Sequence, residues 1–237
     1  MDVDRLLAPL RRAPERAAVL LDVDGTLAPI VARPELASVP EETRTQLRRL
    51  VGKYALLACV SGRTAADAAR VVGVEGPVYV GVHGLELAPE AEHWRGPLHE
   101  FAASVRWPAE DKGVAIVFHF REAKDERAAR EELAQVAARA SALGLDARFG
   151  RKVLEVRAPV RADKGTAVRG LLEERRLTRA LYAGDDTTDL DAFRGLEGLE
   201  SSLRIAIASA ESPSELAAAA DLVLQGPPEL LRLLARL

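Results

Sequence analysis

Short, uninterrupted apolar runs alternate along the chain with longer stretches in which apolar residues recur at helical spacing. The apolar runs predict strands buried on both faces, as in a parallel sheet: Ala17–Leu21, Leu56–Val60, Val78–Val82, Ala180–Ala183, Arg204–Ala208 and Leu222–Leu224. The intervening stretches predict helices: residues 1–13, Glu41–Val51, Thr64–Val72, Asp163–Arg175, Asp189–Arg194, Glu211–Ala220 and Pro227–Leu237. This alternation predicts an α/β fold whose core is a doubly wound, Rossmann-like parallel sheet.

The pattern changes in the middle of the chain. Val114–Arg121 predicts a strand and Asp125–Leu143 a long helix. Leu145–Phe149 and Lys152–Arg157 predict a hairpin, with Gly150-Arg151 at its turn. We therefore expect a discontinuous core, residues 1–87 and 160–237, with an inserted α+β cap domain over residues 88–159.

Composition excludes several classes of function. The chain has 237 residues and a net charge of −3, from 33 basic and 36 acidic residues, so it lacks the electrostatic footprint of a nucleic-acid-binding protein. The one cysteine, Cys59, lies in an apolar run and predicts a buried, inert thiol. No long apolar run follows the charged N-terminus, so we expect a soluble, cytoplasmic protein with no membrane contact. We also expect the protein to be a monomer.

Polar side chains that could carry chemistry come directly after the predicted strands or open a helix. They are Asp22 with Asp24, Ser61, Lys164, and Asp185 with Asp186 and Asp189. Carboxylates brought together repel one another and require a cation. Oxygen ligands without histidine or cysteine suit Mg²⁺. A hydroxyl, an ammonium group and backbone N–H groups at a glycine turn suit a phosphate.

These segments resemble, in order, the four motifs of the haloacid dehalogenase (HAD) superfamily of phosphatases. The matching segments are Asp22-Val-Asp24-Gly25-Thr26, Ser61, Lys164 and Gly184-Asp-Asp-Thr-Thr-Asp189. The resemblance is closer to the trehalose-6-phosphate phosphatases, which have a type IIB-like inserted cap. It rests on three further segments: Ser61-Gly62-Arg63, Gly81-Val-His83-Gly84-Leu-Glu86 and Gly150-Arg-Lys152-Val-Leu-Glu155-Val-Arg157. One departure is Leu190, where the family usually has glutamate after the last motif aspartate.

The resemblance implies Mg²⁺-dependent hydrolysis of trehalose 6-phosphate to trehalose and phosphate, a step of trehalose biosynthesis. It makes Asp22 the nucleophile that forms an aspartyl-phosphate, and Asp24 the general acid and base. It assigns the metal to the Asp22 carboxylate, the Asp24 backbone carbonyl and Asp185, with Asp186 and Asp189 as further candidates. The phosphate-binding residues that it implies are Thr26, Ser61, Gly62 and Lys164.

Candidate sugar-binding residues lie in and beside the inserted unit. Lys152 and Glu155 are three positions apart, so a regular strand places them on opposite faces, and Glu155 is the favoured sugar ligand. His119 and Arg121 share one face of the predicted strand. Glu86 follows the third core strand, where it could contact the sugar or support the base of the cap.

Two alternatives are open, and a third is excluded by the sequence. The substrate could be another sugar phosphate, such as sucrose 6-phosphate or mannosyl-3-phosphoglycerate, because only the cap contacts would differ. The chain could instead be a non-catalytic binding module on the same fold. An EF-hand calcium loop starting at Asp22 is excluded, because Thr26, Leu27 and Arg33 stand where an acid, a glycine and a glutamate are required.

Overall fold

The computed structural model describes residues 2–31, 33–150, 152–209 and 212–237. The chain divides into two compact units, one formed by Met1–Gly84 with Ala162–Leu237 and the other by Leu85–Arg161. The two segments of the first unit lie side by side where the chain leaves it and returns to it. The backbones of Gly84 and Asp163 are so close that a Cβ added at Gly84 would lie 2.7 Å from the backbone oxygen of Asp163. The first unit is therefore discontinuous in sequence but continuous in space.

The strands, in chain order, are β1 (Ala17–Leu21), β2 (Leu56–Val60), β3 (Val78–Val80), β4 (Ala109–Asp111), β5 (Ala115–His119), β6 (Asp146–Gly150), β7 (Val153–Arg157), β8 (Arg179–Gly184), β9 (Ser201–Ala208) and β10 (Leu222–Gln225). The α-helices are α1 (Val3–Arg12), α2 (Glu41–Leu50), α3 (Ala65–Val72), α4 (Arg95–Ala103), α5 (Glu126–Ala142), α6 (Lys164–Glu174), α7 (Asp189–Gly195), α8 (Ser214–Ala219) and α9 (Gly226–Leu234). Short 3₁₀ turns occupy Pro14–Arg16, Pro34–Leu36 and Pro89–Trp94, and a kinked segment that is non-helical at His83 and Gly84 spans Val82–Leu87.

The first unit is built on a parallel sheet. Within the described ranges its six strands run in the order β10-β9-β8-β1-β2-β3. All five residues of β1 are buried, with Val19 and Leu21 in the hydrophobic cluster on one face and Ala18 and Leu20 in the cluster on the other. The predicted doubly wound core is confirmed. The strands β2 and β3 lie on one side of β1, and β8, β9 and β10 lie on the other, so the strand order changes direction at β1. Doubly wound sheets bind ligands at such a point.

The second unit has an antiparallel sheet of its own. Its strands are arranged in the order β4-β5-β7-β6, and α5 packs against β6 and β7. In the register, Ile116 pairs with Val156 and Phe118 with Leu154, all four buried. An α+β unit inserted between two halves of a parallel core is thus present.

Several element boundaries differ from the sequence prediction. The third core strand ends at Val80 and not at Val82, because Val82 (φ 48°) and His83 (φ 55°) adopt left-handed conformations. The helix predicted from Glu211 begins at Ser214, and Glu211 lies outside the described residues, as does Arg151 of the predicted hairpin turn.

Two elements of the second unit, α4 and β4, were not predicted. All three residues of β4 are exposed, so no apolar run marks this strand. The strand predicted to reach Arg121 ends at His119. Across the part of the chain that the structure covers, no helix combines the length and apolar character needed to span a bilayer.

Candidate active site

Asp22 lies where β1 ends, at the point of the sheet where connections reverse. Its backbone N–H donates to the carbonyl of Ala183 in β8 at 2.9 Å, which continues the strand pairing by one residue. Asp185 follows β8 directly, so neighbouring strands deliver both carboxylates to one edge. The Asp22 side chain is buried, and Oδ1 accepts a hydrogen bond from Lys164 Nζ at 2.6 Å.

Three carboxylates converge at this edge. One oxygen each from Asp22, Asp185 and Asp189 lies within 4.8 Å of the others. Burial raises the pKa of Asp22 well above its ordinary value, and although Lys164 opposes the rise, the charges of Asp189 and Asp185 add to it. Burial, followed by the charge of Asp189, raises the pKa of Asp185 to about 7. Such a site favours a bound cation, because a cation relieves this repulsion.

The space around Asp185 depends on a glycine. Gly25 has φ +82°, and a Cβ added there would lie 2.0 Å from Asp185 Oδ2. The Thr26 side chain is fully buried, and its hydroxyl donates to Asp185 Oδ1 at 3.3 Å. The donor set consists of carboxylate and hydroxyl oxygens only, so the residues fit a hard divalent cation such as Mg²⁺.

Asp189 accepts hydrogen bonds on both of its oxygens. Oδ1 accepts from Lys164 Nζ and from the Tyr182 hydroxyl, each at 2.7 Å. Oδ2 accepts from the backbone N–H groups of Asp185 and Asp186, each at 2.9 Å. Four donors leave this carboxylate little capacity for direct metal coordination. Asp186 itself is exposed, and its Oδ1 accepts from the N–H of Thr187 at 2.7 Å.

Lys164 stands at the first position of α6 and is 2% exposed. Asp163 caps this helix, accepting from the N–H of Thr166 at 2.8 Å, while the Thr166 hydroxyl accepts from the N–H of Asp163 at 2.9 Å. Burial alone would lower the pKa of Lys164, but the carboxylates of Asp189 and Asp22 raise it above its ordinary value. The lysine is therefore a fixed, charged ammonium group beside Asp22.

The Asp24 side chain accepts hydrogen bonds from Arg63 and is not part of the carboxylate group of Asp22, Asp185 and Asp189. Arg63 Nε donates to its Oδ2 at 2.7 Å and Arg63 Nη2 to its Oδ1 at 2.8 Å. The same guanidinium also donates to Asp67 at 2.5 Å and to the carbonyl of Pro34 at 3.1 Å. Asp24 is absent from the convergent carboxylate group, and its side chain remains partly exposed. The sequence motif contains Arg63 but does not predict its role, because Asp24 and Arg63 are 39 residues apart and meet only in the folded chain.

The remaining candidates of the first unit lie at the end of β2. Ser61 is buried, and its hydroxyl accepts from the N–H of Arg63 at 3.2 Å. A Cβ added at Gly62 would lie 2.7 Å from the imidazole of His83, so glycine permits this close packing. The backbone N–H of His83 donates to the carbonyl of Ser61 at 2.9 Å, which ties the two loops together.

The candidate sugar ligands all belong to the second unit. Glu155 lies in β7 between Val117 of β5 and Arg148 of β6, on the face that also carries the His119–Glu110 pair (2.8 Å). Lys152 precedes β7 with φ 57° and pairs with Glu126 of α5, so it lies apart from Glu155. Arg121 occupies the turn after β5, so it does not share a strand face with His119. Glu86 lies in the kinked segment Val82–Leu87.

The sequence model of the trehalose-phosphatase family matches residues 20–107 and 108–228, which is most of the chain. The chain belongs to the trehalose-phosphatase family. Among curated family members, the trehalose-phosphate phosphatase of Mycobacterium avium (strain 104) is 33% identical over 178 residues, covering 64% of this chain and 44% of the relative. The trehalose 6-phosphate phosphatase RA3 of Zea mays is 30% identical over 100% of this chain and 68% of that protein. The chain thus spans less than half the length of the mycobacterial relative.

Solved structures share the fold of this trehalose-phosphatase family member. A trehalose-6-phosphate phosphatase related protein superposes with a TM-score of 0.73 and 21% identity, over 92% of this chain and 95% of that one. The C-terminal domain of the C. albicans trehalose-6-phosphate phosphatase gives a TM-score of 0.72 and 20% identity, over 99% and 96%. A haloacid dehalogenase-like hydrolase from Bacteroides thetaiotaomicron gives 0.63 and 15% identity, over 93% and 98%. The HAD fold with an inserted second unit is established.

Proposed function

We propose that this protein is a phosphoric monoester hydrolase that converts trehalose 6-phosphate to trehalose and phosphate, with Mg²⁺ as its cofactor. Similarity of the whole of this chain to 68% of a maize trehalose 6-phosphate phosphatase supports the substrate. The observation that carries the chemistry is the buried Asp22 carboxylate, bonded to Lys164 at 2.6 Å and grouped with Asp185 at the reversal point of the sheet. We expect it to act in the cytoplasm as a monomer.

Asp22 is the nucleophile of the proposed reaction. One of its oxygens attacks phosphorus, the bond from phosphorus to the sugar oxygen breaks, and an aspartyl-phosphate results. Lys164 and the hydroxyl of Ser61 offset the charge of the phosphoryl group, and Gly62 and Thr26 are the further residues assigned to its binding. Water then attacks phosphorus, which releases phosphate and restores Asp22.

Asp24 moves the protons in both steps. As the acid it gives a proton to the departing sugar oxygen, and as the base it takes a proton from the attacking water. Its side chain is turned away from the convergent carboxylates and held on both oxygens by Arg63. Proton transfer and metal binding are thereby assigned to different side chains.

The residues that would hold Mg²⁺ are Asp22 and Asp185 through their carboxylates and Asp24 through its backbone carbonyl. When bound, the metal supplies Lewis-acid polarisation of a phosphate oxygen and offsets the negative charge that Asp22 must approach. Asp189 is assigned a supporting role, because Lys164, Tyr182 and two backbone N–H groups already occupy its oxygens.

Substrate choice is assigned to the inserted unit. We propose residues 1–87 and 160–237 as the hydrolase core and residues 88–159 as the cap, with Glu155 as the principal sugar ligand. His119, Arg121, Lys152 and Glu86 are weaker candidates, and Lys152 is the weakest because it pairs with Glu126. Another sugar phosphate is the alternative substrate. A purely binding role is disfavoured, because the nucleophile, the acid, the lysine and the metal carboxylate are all present.

The test compares Asp22→Asn with Asp221→Asn. Asp221, like Asp22, pairs with a basic side chain, in its case Arg204, but it lies beside β9 and β10 and away from the carboxylate group. We expect Asp22→Asn to fold and to release no phosphate from trehalose 6-phosphate, while Asp221→Asn keeps wild-type kcat. Undiminished activity in Asp22→Asn would refute the proposed mechanism.

A further inference from the structure

Tyr182 carries a hydroxyl into an otherwise apolar part of the sheet. It lies in the middle of β8, is fully buried, and contacts Phe193 edge to face with ring centroids 6.1 Å apart. Its neighbours in the strand, Leu181 and Ala183, are buried and apolar. Phenylalanine would satisfy this packing equally well, and a buried hydroxyl is costly unless it is hydrogen-bonded. The hydroxyl therefore calls for an explanation beyond packing.

The partner of that hydroxyl connects it to the proposed active site. Tyr182 donates to Asp189 Oδ1 at 2.7 Å, and the same oxygen accepts from Lys164 Nζ at 2.7 Å. Lys164 in turn donates to Asp22 at 2.6 Å. A continuous chain of short contacts thus runs from the tyrosine through Asp189 and Lys164 to the nucleophile.

The other oxygen of Asp189 holds the loop that follows β8. Oδ2 accepts from the backbone N–H groups of Asp185 and Asp186 at 2.9 Å. One carboxylate therefore orients both the lysine and the loop that carries Asp185. The Gly184 backbone packs against it closely, since a Cβ added there would lie 2.2 Å from the carboxylate carbon. Rotation of the Asp189 carboxylate would therefore disturb both the Lys164 ammonium group and the loop that carries Asp185.

We propose that Tyr182 is a positioning residue whose hydroxyl fixes the Asp189 carboxylate, so that Lys164 is held against Asp22 and the Asp185 loop is held at the end of β8. This inference rests on the proposed phosphatase function. Tyr182 acts through Asp189 and contacts neither substrate nor the reacting atoms.

Loss of the hydroxyl has a definite expected effect. Without it, Asp189 Oδ1 has Lys164 as its one remaining donor, and the ammonium is drawn toward Asp189 and away from Asp22. Charge stabilisation of the transferring phosphoryl group then falls while the sugar contacts are unchanged. We expect Tyr182→Phe to lower kcat roughly tenfold and to change KM by less than about twofold.

The matched control is Tyr79→Phe. Tyr79 also donates one hydrogen bond from its hydroxyl, to the carbonyl of Val74 at 2.5 Å, but it lies in β3 and outside the Asp189 network. Both substitutions keep the aromatic ring, so both proteins are expected to fold, which thermal unfolding checks. The control should lose some stability and keep its kcat.

Two measurements decide the question. The first is kcat and KM for trehalose 6-phosphate; the second is amide hydrogen exchange of residues 185–186 in the metal-free protein, which needs no activity. Slower turnover at constant KM, with faster exchange at Asp185 and Asp186 in Tyr182→Phe alone, supports the proposal. Exchange and kcat matching the Tyr79→Phe control would overturn it.

If the wild type releases no phosphate, the proposed function fails, while the exchange result still accepts or rejects the positioning role.

Discussion

At the scale of single residues, the proposed metal site depends on a glycine at position 25, which has no Cβ. Gly25 turns the chain after Asp24 with φ +82°, and its N–H donates to the carbonyl of Ala28 at 2.8 Å. The space that a Cβ would occupy is filled by the Asp185 carboxylate. Glycine is required here both for the backbone conformation and for the approach of Asp185.

Gly25→Ala is therefore expected to abolish most activity. Gly52→Ala is the control, because Gly52 also has a positive φ (+78°) but has open space where the Cβ would go. Each substitution should cost roughly 1–2 kcal/mol of stability from the left-handed backbone. Gly25→Ala should also displace Asp185 and lower kcat by about 100-fold. Equal kcat values in the two variants would show that the approach of Asp185 to Gly25 is unimportant.

Metal binding should depend on pH in a defined direction. The pKa of Asp185 in the folded, metal-free protein is about 7, against an ordinary value of 3.8. The folded state thus keeps a proton that the unfolded chain has lost, so the contribution of Asp185 to stability falls as pH rises from about 4 to 7. Mg²⁺ binds the ionised form, so the Mg²⁺-induced rise in Tm should be larger at pH 8 than at pH 5.5. A rise that is larger at pH 5.5 would contradict the assignment of Asp185.

The sequence shows which polar residues follow the core strands, but it does not show which side chains they contact. Asp22, Ser61 and Asp185 follow apolar runs, and strand order alone brings them to one edge. The contacts of Arg63 and Tyr182 could not be predicted, because the sequence does not show which side chain a loop arginine or an aromatic residue in a buried strand contacts. Their contacts with Asp24 and Asp189 arise from folding.

At the scale of elements, α6 is the support of the proposed catalytic lysine. Its first residue is Lys164, and the reciprocal bonds between Asp163 and Thr166 define where the helix begins. Loss of this cap would allow the first turn to fray. The position of the ammonium group would then be less well determined, although every other part of the site would remain.

Asp163→Ala is expected to lower the free energy of unfolding by roughly 0.5–2 kcal/mol and to lower kcat as well. Asp125→Ala is the matched control, because Asp125 caps α5 by accepting from the N–H groups of Arg127 and Ala128. The control should lose similar stability in chemical denaturation but keep its kcat. If Asp163→Ala keeps wild-type kcat, the cap of α6 has no part in placing Lys164.

Elements of the core were predicted well because their burial is visible in the sequence. β1 and β2 are apolar at every position, and both have the predicted bounds. β4 is exposed at all three positions, so it pairs with β5 through backbone bonds without an apolar pattern. β3 ends early because Val82 and His83 adopt left-handed conformations. Valine and histidine do not predict such a conformation from the sequence.

At the scale of the whole molecule, hydrolysis and substrate choice are assigned to different compact units. The proposed catalytic residues all lie in the unit of Met1–Gly84 and Ala162–Leu237, and the candidate sugar ligands lie in Leu85–Arg161. A change confined to the second unit should therefore alter selection among phosphate esters more than the chemical step.

Glu155→Gln tests this division. We expect KM for trehalose 6-phosphate to rise about tenfold, with little change in the hydrolysis of a small aryl phosphate that lacks sugar hydroxyls. Glu131→Gln is the control, since Glu131 pairs with Arg127 on the exposed surface of α5. Equal loss on both substrates in Glu155→Gln would assign that residue a structural role.

The measurement that tests the account most directly is phosphate release by the purified protein, with and without Mg²⁺, from trehalose 6-phosphate and from a panel that includes sucrose 6-phosphate and mannosyl-3-phosphoglycerate. The account predicts Mg²⁺-dependent release, fastest from trehalose 6-phosphate and absent in Asp22→Asn. Preference for another member would keep the chemistry and contradict the substrate. No release from any member with Mg²⁺ present would contradict the central claim that this carboxylate group is a phosphatase site.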